Sequence, residues 1–308
     1  MSKKNTKEEW INNLCYTNEI IETRYLDKQL IIDWMNDFNK VFDTYVELET
    51  FKRYLRAGKD FTRKQLGLGA KELPNKIAIT PPTKDVGNVL VIGDLHEPFT
   101  RKGYREFCLE MKIKHDCKTV VFIGDILDGH YTSFHPTDPD TPYSGVGELE
   151  AARKEIALWH KFFPNAFVTL GNHDSHANRK AFSSGISAQW IKSIGEILET
   201  SSWTYSDEFT FDDVKYCHGI GRQADSRVKE DMLSVCQGHF HSKSYIKHFV
   251  GTHKRLFALQ IGCGIDDKSF AFAYGKHFSK SHINVGIVKE KGTLPIIEYM
   301  DLERDYTK

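Results

Sequence analysis

Residues 89–128 read VLVIGDLHEPFTRKGYREFCLEMKIKHDCKTVVFIGDILD. Two apolar runs, 89–92 and 120–123, each stop at a glycine followed by an acid: Gly93-Asp94-Leu95-His96 and Gly124-Asp125-Ile126-Leu127-Asp128. Short unbroken apolar runs bounded by glycine read as strands buried on both faces. Between them, residues 104–115 are amphipathic and of helical length. Strand, helix and strand in that order form a βαβ unit, which requires parallel pairing. The pattern continues outward: a helix over 148–163 leads to a third run, 167–170, which ends at Gly171-Asn172-His173-Asp174.

After about residue 200 strands dominate, at 208–211, 214–217 and 256–261, with a hairpin over 283–300 that turns at Lys289-Glu290-Lys291-Gly292. These predict a second, more antiparallel sheet. Upstream, Leu30, Ile31, Trp34, Met35, Phe38, Val41 and Phe42 recur at three- and four-residue spacing, so residues 1–66 are predicted to form a helical extension. Pro81-Pro82 and the surrounding glycines forbid a continuing helix, so 67–87 reads as a linker or crossing arm and 88–308 as the catalytic domain.

A chain of 308 residues can bury one sizeable core beside a small module. Its 42 basic and 42 acidic residues cancel, so no global field recruits nucleic acid or an anionic membrane, and any such attraction is local. Six cysteines without a CxxC pair read as reduced thiols. The first residues, MSKKNTKEEW, lack an apolar core, and no apolar run is of membrane-spanning length. The expectation is a cytoplasmic protein with no membrane partner.

All 14 histidines lie between His96 and His282. Five segments present metal-ligand side chains at strand ends: Asp94 and His96; Asp125 and Asp128; Asn172 and His173; His218; and His239 and His241. In α/β sheets the loops beyond the carboxyl ends of strands converge on one cleft, and the adjoining glycines permit sharp turns and close approach. A carboxylate can bridge two cations. Imidazole with carboxylate and amide oxygen suits borderline ions; two such ions roughly 3.5–4 Å apart clamp a phosphate and lower the pKa of a bridging water.

The pattern resembles the calcineurin-like metallophosphoesterase superfamily, whose signature GDxH, GDxxD, GNH(D/E), H and GHxH is met in order over roughly residues 87–265. The resemblance implies a four-layer α/β/β/α sandwich of two mixed sheets. It implies two divalent metal ions, Mn2+ foremost with Fe, Zn or Ni also fitting, and hydrolysis by a metal-bridging hydroxide. Asp94, His96 and His241 would hold one metal, Asn172, His218 and His239 the other, and Asp125 would bridge. His173 would be the general acid or a phosphate-binding imidazole, positioned by Asp94 or Asp128. The loop over 131–147, the helix after it, GNHDSHANRKAF and GCGIDDKSFAFAYGK look similar to metallophosphoesterases encoded by bacteriophages, which would place the protein in a host cytoplasm.

A lone Asp after Gly is ordinarily a turn or cap residue. A lone histidine such as His115, His160, His248, His253, His277 or His282 is ordinarily surface or satisfied core; the ordered set carries the chemistry. Phosphoprotein phosphatases of the superfamily carry an Arg soon after the second motif, which grips phosphate bidentately. Here Asp128-Gly129-His130-Tyr131 stands instead, which makes His130 a candidate substrate contact. His135 and His176 are candidates by their proximity in sequence, and Asn172 can serve metal and substrate alike. The loop 131–147, rich in proline and glycine, is expected to be neither helix nor central strand and to cover the metals.

In residues 51–64, FKRYLRAGKDFTRK, six basic residues face one acid. Such a patch can meet phosphates, and the segment faintly resembles a helix-turn-helix, although most charge runs on helices are solvated faces. The sequence therefore predicts a phosphoesterase for a phosphodiester or phosphomonoester, with DNA, RNA or a nucleotide favoured as substrate. The alternative is a nucleic-acid-binding regulator whose metal site is vestigial.

Overall fold

The computed structural model describes residues 7, 11, 28–55, 86–133, 143–266 and 280–308. They fall into two compact units, drawn from residues 1–78 and 79–308. In the first unit, α1 (Lys28–Phe42) and a helical segment over 48–55 enclose a small core of Ile31, Phe38, Phe51 and Leu55, with Trp34, Met35 and Phe42 packed against it. The Phe38 ring lies 5.5 Å from that of Phe51. Val41, expected on the same stripe, is 60% exposed because its position falls at the stripe's edge. Of the basic segment 51–64, only 51–55 lies within the described residues.

The second unit begins with β1 (Asn88–Ile92), α2 (Tyr104–Lys114), β2 (Cys117–Phe122), α3 (Gly145–Phe162), β3 (Phe167–Thr169), α4 (His176–Ser183), α5 (Ile194–Leu198) and β4 (Thr204–Ser206). Strands β1 to β4 pair in parallel as the βαβ reading requires. There follow β5 (Glu208–Phe211), β6 (Val214–Cys217), α6 (Ala224–Asp231), β7 (Ser234–Gln237), β8 (Tyr245–Val250) and β9 (Arg255–Gln260), and the chain returns through β10 (Asn284–Lys289) and β11 (Leu294–Tyr299). The six-stranded sheet runs β11-β10-β1-β2-β3-β4 and the five-stranded sheet β5-β6-β7-β9-β8.

One expectation is corrected. The hairpin β10–β11 joins the first sheet, antiparallel to β1, rather than the second. Both sheets are mixed, and in the second β6, β7 and β9 run parallel while β5 and β8 flank them antiparallel. Local pattern shows that strands exist; it does not choose their partners, which depends on which apolar faces meet.

Those faces alternate with period two. Leu90 and Ile92 of β1 and Val120 and Phe122 of β2 join the core beneath α2 and α3, which holds Phe107, Ile156 and Trp159. Val89, Val91, Val121 and Ile123 turn the other way and meet Phe209, Phe211, Tyr216, Phe257 and Leu259 of the second sheet. That sheet's far face, with Val235 and Ala258, packs on Ala224 and Val228 of α6. The result is the α/β/β/α sandwich, in which each fully buried apolar side chain contributes roughly 1.5–3 kcal/mol.

The ends of the loop over 131–147 are helical, contrary to expectation. His130–Thr132 form a single 3-10 turn. At the other end, Ser144 caps α3 by accepting from Gly147 N, which starts the helix three residues earlier than its apolar pattern suggests. Residues 134–142, and with them His135, lie outside the described residues. All five described cysteines are free and buried. No helix among the described residues is long and apolar enough to cross a membrane.

Candidate metal centre

Strand ends β1, β2, β3, β6 and β7 deliver the five motifs to one place. The turn after β1 is stitched to the turn after β2, because the Asp125 carbonyl accepts from Leu95 N at 3.1 Å and His96 N at 2.9 Å. His96, Asp125 and His239 have φ of 53°, 48° and 73°, left-handed values that non-glycine residues rarely adopt. Three candidate ligands thus sit at turn positions whose conformation the surrounding hydrogen bonds must enforce.

Asp94 and Asp125 are 0% and 2% exposed. Asp94 Oδ2 lies 3.0 Å from His241 Nε2 and accepts from His239 N at 3.0 Å. Asp125 Oδ2 lies 3.1 Å from His218 Nε2 and 3.7 Å from His96 Nε2, and Oδ1 accepts from His173 N at 2.9 Å. His218 Nε2 is also 3.0 Å from Asn172 Oδ1 and 3.1 Å from His239 Nδ1. Three groups of possible ligand atoms gather within 4.8 Å of one another: Asp94, His96 and His241; Asp125, His218 and His239; and His96, Asp128 and His173.

These donors fit divalent cations. His218 Nδ1 faces the Ile123 carbonyl at 2.9 Å, so a neutral imidazole places its proton there. Nε2 then meets Asp125 Oδ2 lone pair to lone pair, a contact that a positive charge relieves. A proton is one candidate: burial alone would lower the His218 pKa, but Asp125 and Asp94 outweigh it and push it up to about 10. A cation competes for the same place, so affinity at this centre depends on pH. His239 has its pKa lowered to about 4 by burial and by His218, and so supplies a neutral nitrogen. In the first group, His96 Nδ1 binds Asp128 Oδ1 at 2.9 Å; the carboxylate fixes the tautomer that leaves Nε2 as the ligand atom.

His173 stands beside this set, its ring centroid 4.5 Å from that of His96. Of the two acids considered for orienting it, Asp94 is engaged by His239 and His241. The Asp128 carboxylate is 3.9 Å from His173 Nδ1, while the Asp128 backbone carbonyl accepts from that nitrogen at 2.5 Å. Burial lowers the His173 pKa, yet Asp125 and the Asp128 carbonyl raise it on balance. His130 and His176 are 7% and 6% exposed. His130 N donates to Glu148 Oε1 at 2.8 Å, and the His176 ring packs 4.7 Å from that of His173.

The sequence reading gave Asp174 no task of its own. Its Oδ1 accepts from Ile126 N at 3.0 Å and Leu127 N at 3.2 Å, and its Oδ2 from Gly171 N at 3.0 Å, so it clamps the third motif to the second. The signal was present, because an Asp ending a Gly-Asn-His-Asp turn caps nearby backbone amides. Burial, then Asp125, raise its pKa to about 6. Two glycines make room for the acids. A Cβ on Gly171 would lie 2.0 Å from Asp125 Oδ1, and one on Gly238 2.4 Å from Asp94 Oδ1.

Residues 87–256 match the family model described as calcineurin-like phosphoesterase. The chain belongs to this family. The family is one of phosphoesterases that typically bind divalent metals, and the clusters around Asp94 and Asp125 are groups in this member that could hold such ions. Among solved structures the chain is similar to vacuolar protein sorting 29 from Cryptosporidium parvum, at 13% identity and a TM-score of 0.39, over 71% of this chain and 93% of that one. It is similar to a Vps29 point mutant from Entamoeba histolytica, at 13% and 0.33, over 68% and 89%. It is also similar to YfcE, a phosphoesterase from E. coli, at 15% and 0.29, over 66% and 88%. No curated protein matches the chain in sequence.

Proposed function

We propose that the protein is a dinuclear-metal-dependent phosphoesterase acting on a phosphodiester or phosphomonoester, with a nuclease or nucleotide phosphodiesterase as the favoured form. The observation that carries this reading is the convergence of Asp125, Asn172, His218 and His239 on one point beside Asp94, His96 and His241. Asp94, His96 and His241 would hold one ion, Asn172, His218 and His239 the other, with Asp125 shared; Mn2+ suits this donor set. When bound, the ions supply Lewis acidity to the phosphate and a nucleophile ionised at neutral pH.

The chain's own residues do the rest. His173, with Nδ1 held at the Asp128 carbonyl, keeps Nε2 for the leaving oxygen, and Asp125 and that carbonyl raise its pKa, the direction a general acid requires. Asp128 thus orients His173 through its backbone and His96 through its carboxylate. The preference for a nucleic-acid substrate rests on the basic stretch 51–64 together with the sequence likeness of the loop 131–147, the helix after it, GNHDSHANRKAF and GCGIDDKSFAFAYGK to phage-encoded metallophosphoesterases, which would also place the protein in a host cytoplasm.

Asp125→Ala is expected to abolish binding of both metals, measured by elemental analysis, together with Mn-dependent hydrolysis of an aryl phosphodiester. A variant that retained both ions would overturn the shared-ligand role. A wild-type protein that binds Mn2+ yet hydrolyses none of DNA, RNA, nucleotides and aryl phosphates would favour the vestigial-site regulator.

A further inference from the structure

The chain after the third motif leaves three large apolar side chains in water: Phe182 and Ile186, each 48% exposed, and Trp190, 85% exposed. Their four-residue spacing would line one face of a longer helix, but α4 stops at Ser183. Gly185, at φ 74°, turns the chain back there, and Gly185 N and Ile186 N donate to the Phe182 and Ala181 carbonyls at 3.1 and 2.8 Å. Ile186 is thereby set beside the last turn of α4. Trp190 ends a 3-10 turn, Ala188–Trp190, that lies against the same helix. The patch is also cationic: Arg179, Lys180 and Lys192 stand among these residues, and no acid occurs in the sequence between Asp174 and Glu196. Both bounding acids are engaged, Asp174 by three backbone amides and Glu196, near Lys192, by Ser193 N at 2.8 Å in the cap of α5.

This patch is continuous with the metal centre. α4 begins at His176, whose ring lies 4.7 Å from that of His173. Lys180 Nζ donates to the Tyr131 carbonyl at 3.4 Å, just beyond the second motif. Ala177, Asn178 and Lys192 border a cavity of about 150 Å³ that His173 also borders, and whose acids, Glu97, Glu148 and Asp174, each accept from N–H groups of the chain.

We propose that the surface from Arg179 to Lys192 receives a single-stranded nucleic acid, with the Trp190 indole stacking on a base and Lys192 meeting a phosphate, and so leads the strand to the metal centre. The inference rests on the nuclease form of the proposed function, which requires a polyanion to approach these ligands. An indole left in water gains free energy when an apolar face covers it. Bases offer such faces when single-stranded, and the phosphates between them supply the anions that the three cations attract. A duplex keeps its base faces inside its own stack and presents the patch with phosphates alone. An apolar protein surface would cover the indole but offer Lys192 no anion.

The test uses the full chain reconstituted with Mn2+. Binding is read by fluorescence anisotropy with a labelled, cleavage-resistant phosphorothioate oligothymidylate and with its oligoadenylate duplex. Hydrolysis is read with methyl p-nitrophenyl phosphate and the ordinary oligonucleotide. The single strand should bind about tenfold or more tightly than the duplex. Trp190→Ala should raise its Kd about tenfold, and Trp190→Phe, which keeps a ring, by less than about threefold. Lys192→Gln should weaken binding and lower the slope of log Kd against log salt by about 0.7, the loss of one phosphate contact on a single strand. Equal affinity for the duplex, a Trp190→Ala Kd within about twofold of the wild type, or an unchanged salt slope in Lys192→Gln would overturn the single-strand surface. Hydrolysis of the aryl ester without oligonucleotide binding would also overturn it, while the hydrolase stands. Oligonucleotide binding that shows these effects, with neither substrate hydrolysed, would overturn the nuclease and assign the surface to the regulator. Capture of the wild type but not of Trp190→Ala by phosphatidylserine vesicles, with no oligonucleotide binding, would make the patch a membrane surface instead. Trp190 and Lys192 are exposed, so their substitution spares the core; if Trp190→Ala nonetheless melts lower than the wild type, Trp190→Phe and Lys192→Gln decide.

Discussion

At the scale of single residues, the atom that faces Asp125 separates the proposed ligands from the proposed acid. His173 contacts Asp125 through its backbone amide, whereas His218 offers the ring nitrogen itself. His173→Ala should therefore retain both metals and lose roughly 10²–10⁴ in kcat, with elemental analysis and steady-state rates as the two readings. His176 illustrates burial rather than chemistry. Its pKa is lowered to about 4, first by desolvation and then by His173. Because the folded state holds fewer protons at this residue than the unfolded chain, its contribution to stability is fully present above pH 6.5 and is lost as pH falls toward 4. His176→Gln should flatten that part of the stability profile by on the order of 2 kcal/mol in urea titrations between those limits.

At the scale of elements, each strand end makes its ligands possible through the turn that follows it. Gly171 and Gly238 touch the carboxylates of acids that come from other strands, so their need for glycine is a tertiary matter. Gly171→Ala and Gly238→Ala should each lose metal and about 1–3 kcal/mol of stability. Gly251→Ala is the control: its Cβ would meet nothing closer than the Lys254 carbonyl at 3.6 Å, and its melting temperature should match the wild type. Strands and helices around these turns were legible, because Val, Ile and Phe runs ending in glycine have few other readings. Their pairing was not: the β10–β11 hairpin reads the same whichever sheet it joins, and only Val285 and Ile287 packing beneath the helices places it beside β1. The start of α3 was missed because Ser144 caps it with a polar contact, outside the apolar pattern that marks the rest of the helix.

At the scale of the whole molecule, the unit of residues 79–308 contains the cores on both faces of both sheets, and the small core of Phe38 and Phe51 belongs to the first unit. Deleting residues 1–66 should leave a folded protein with Mn-dependent hydrolysis of an aryl phosphodiester; loss of that activity would make the extension part of the catalytic apparatus. By itself the sequence determined the βαβ start and the set of candidate ligands, because strand periodicity and metal-donor chemistry are local properties of residue type and spacing; the sandwich was implied only by the family resemblance that those motifs carry. Only the tertiary structure decided that the Asp128 carbonyl and carboxylate serve different histidines, that Asp174 clamps two turns, and that a cavity opens beside His173. Each of these depends on distances between residues far apart in the chain, and those distances are set by how the faces of sheets and helices pack.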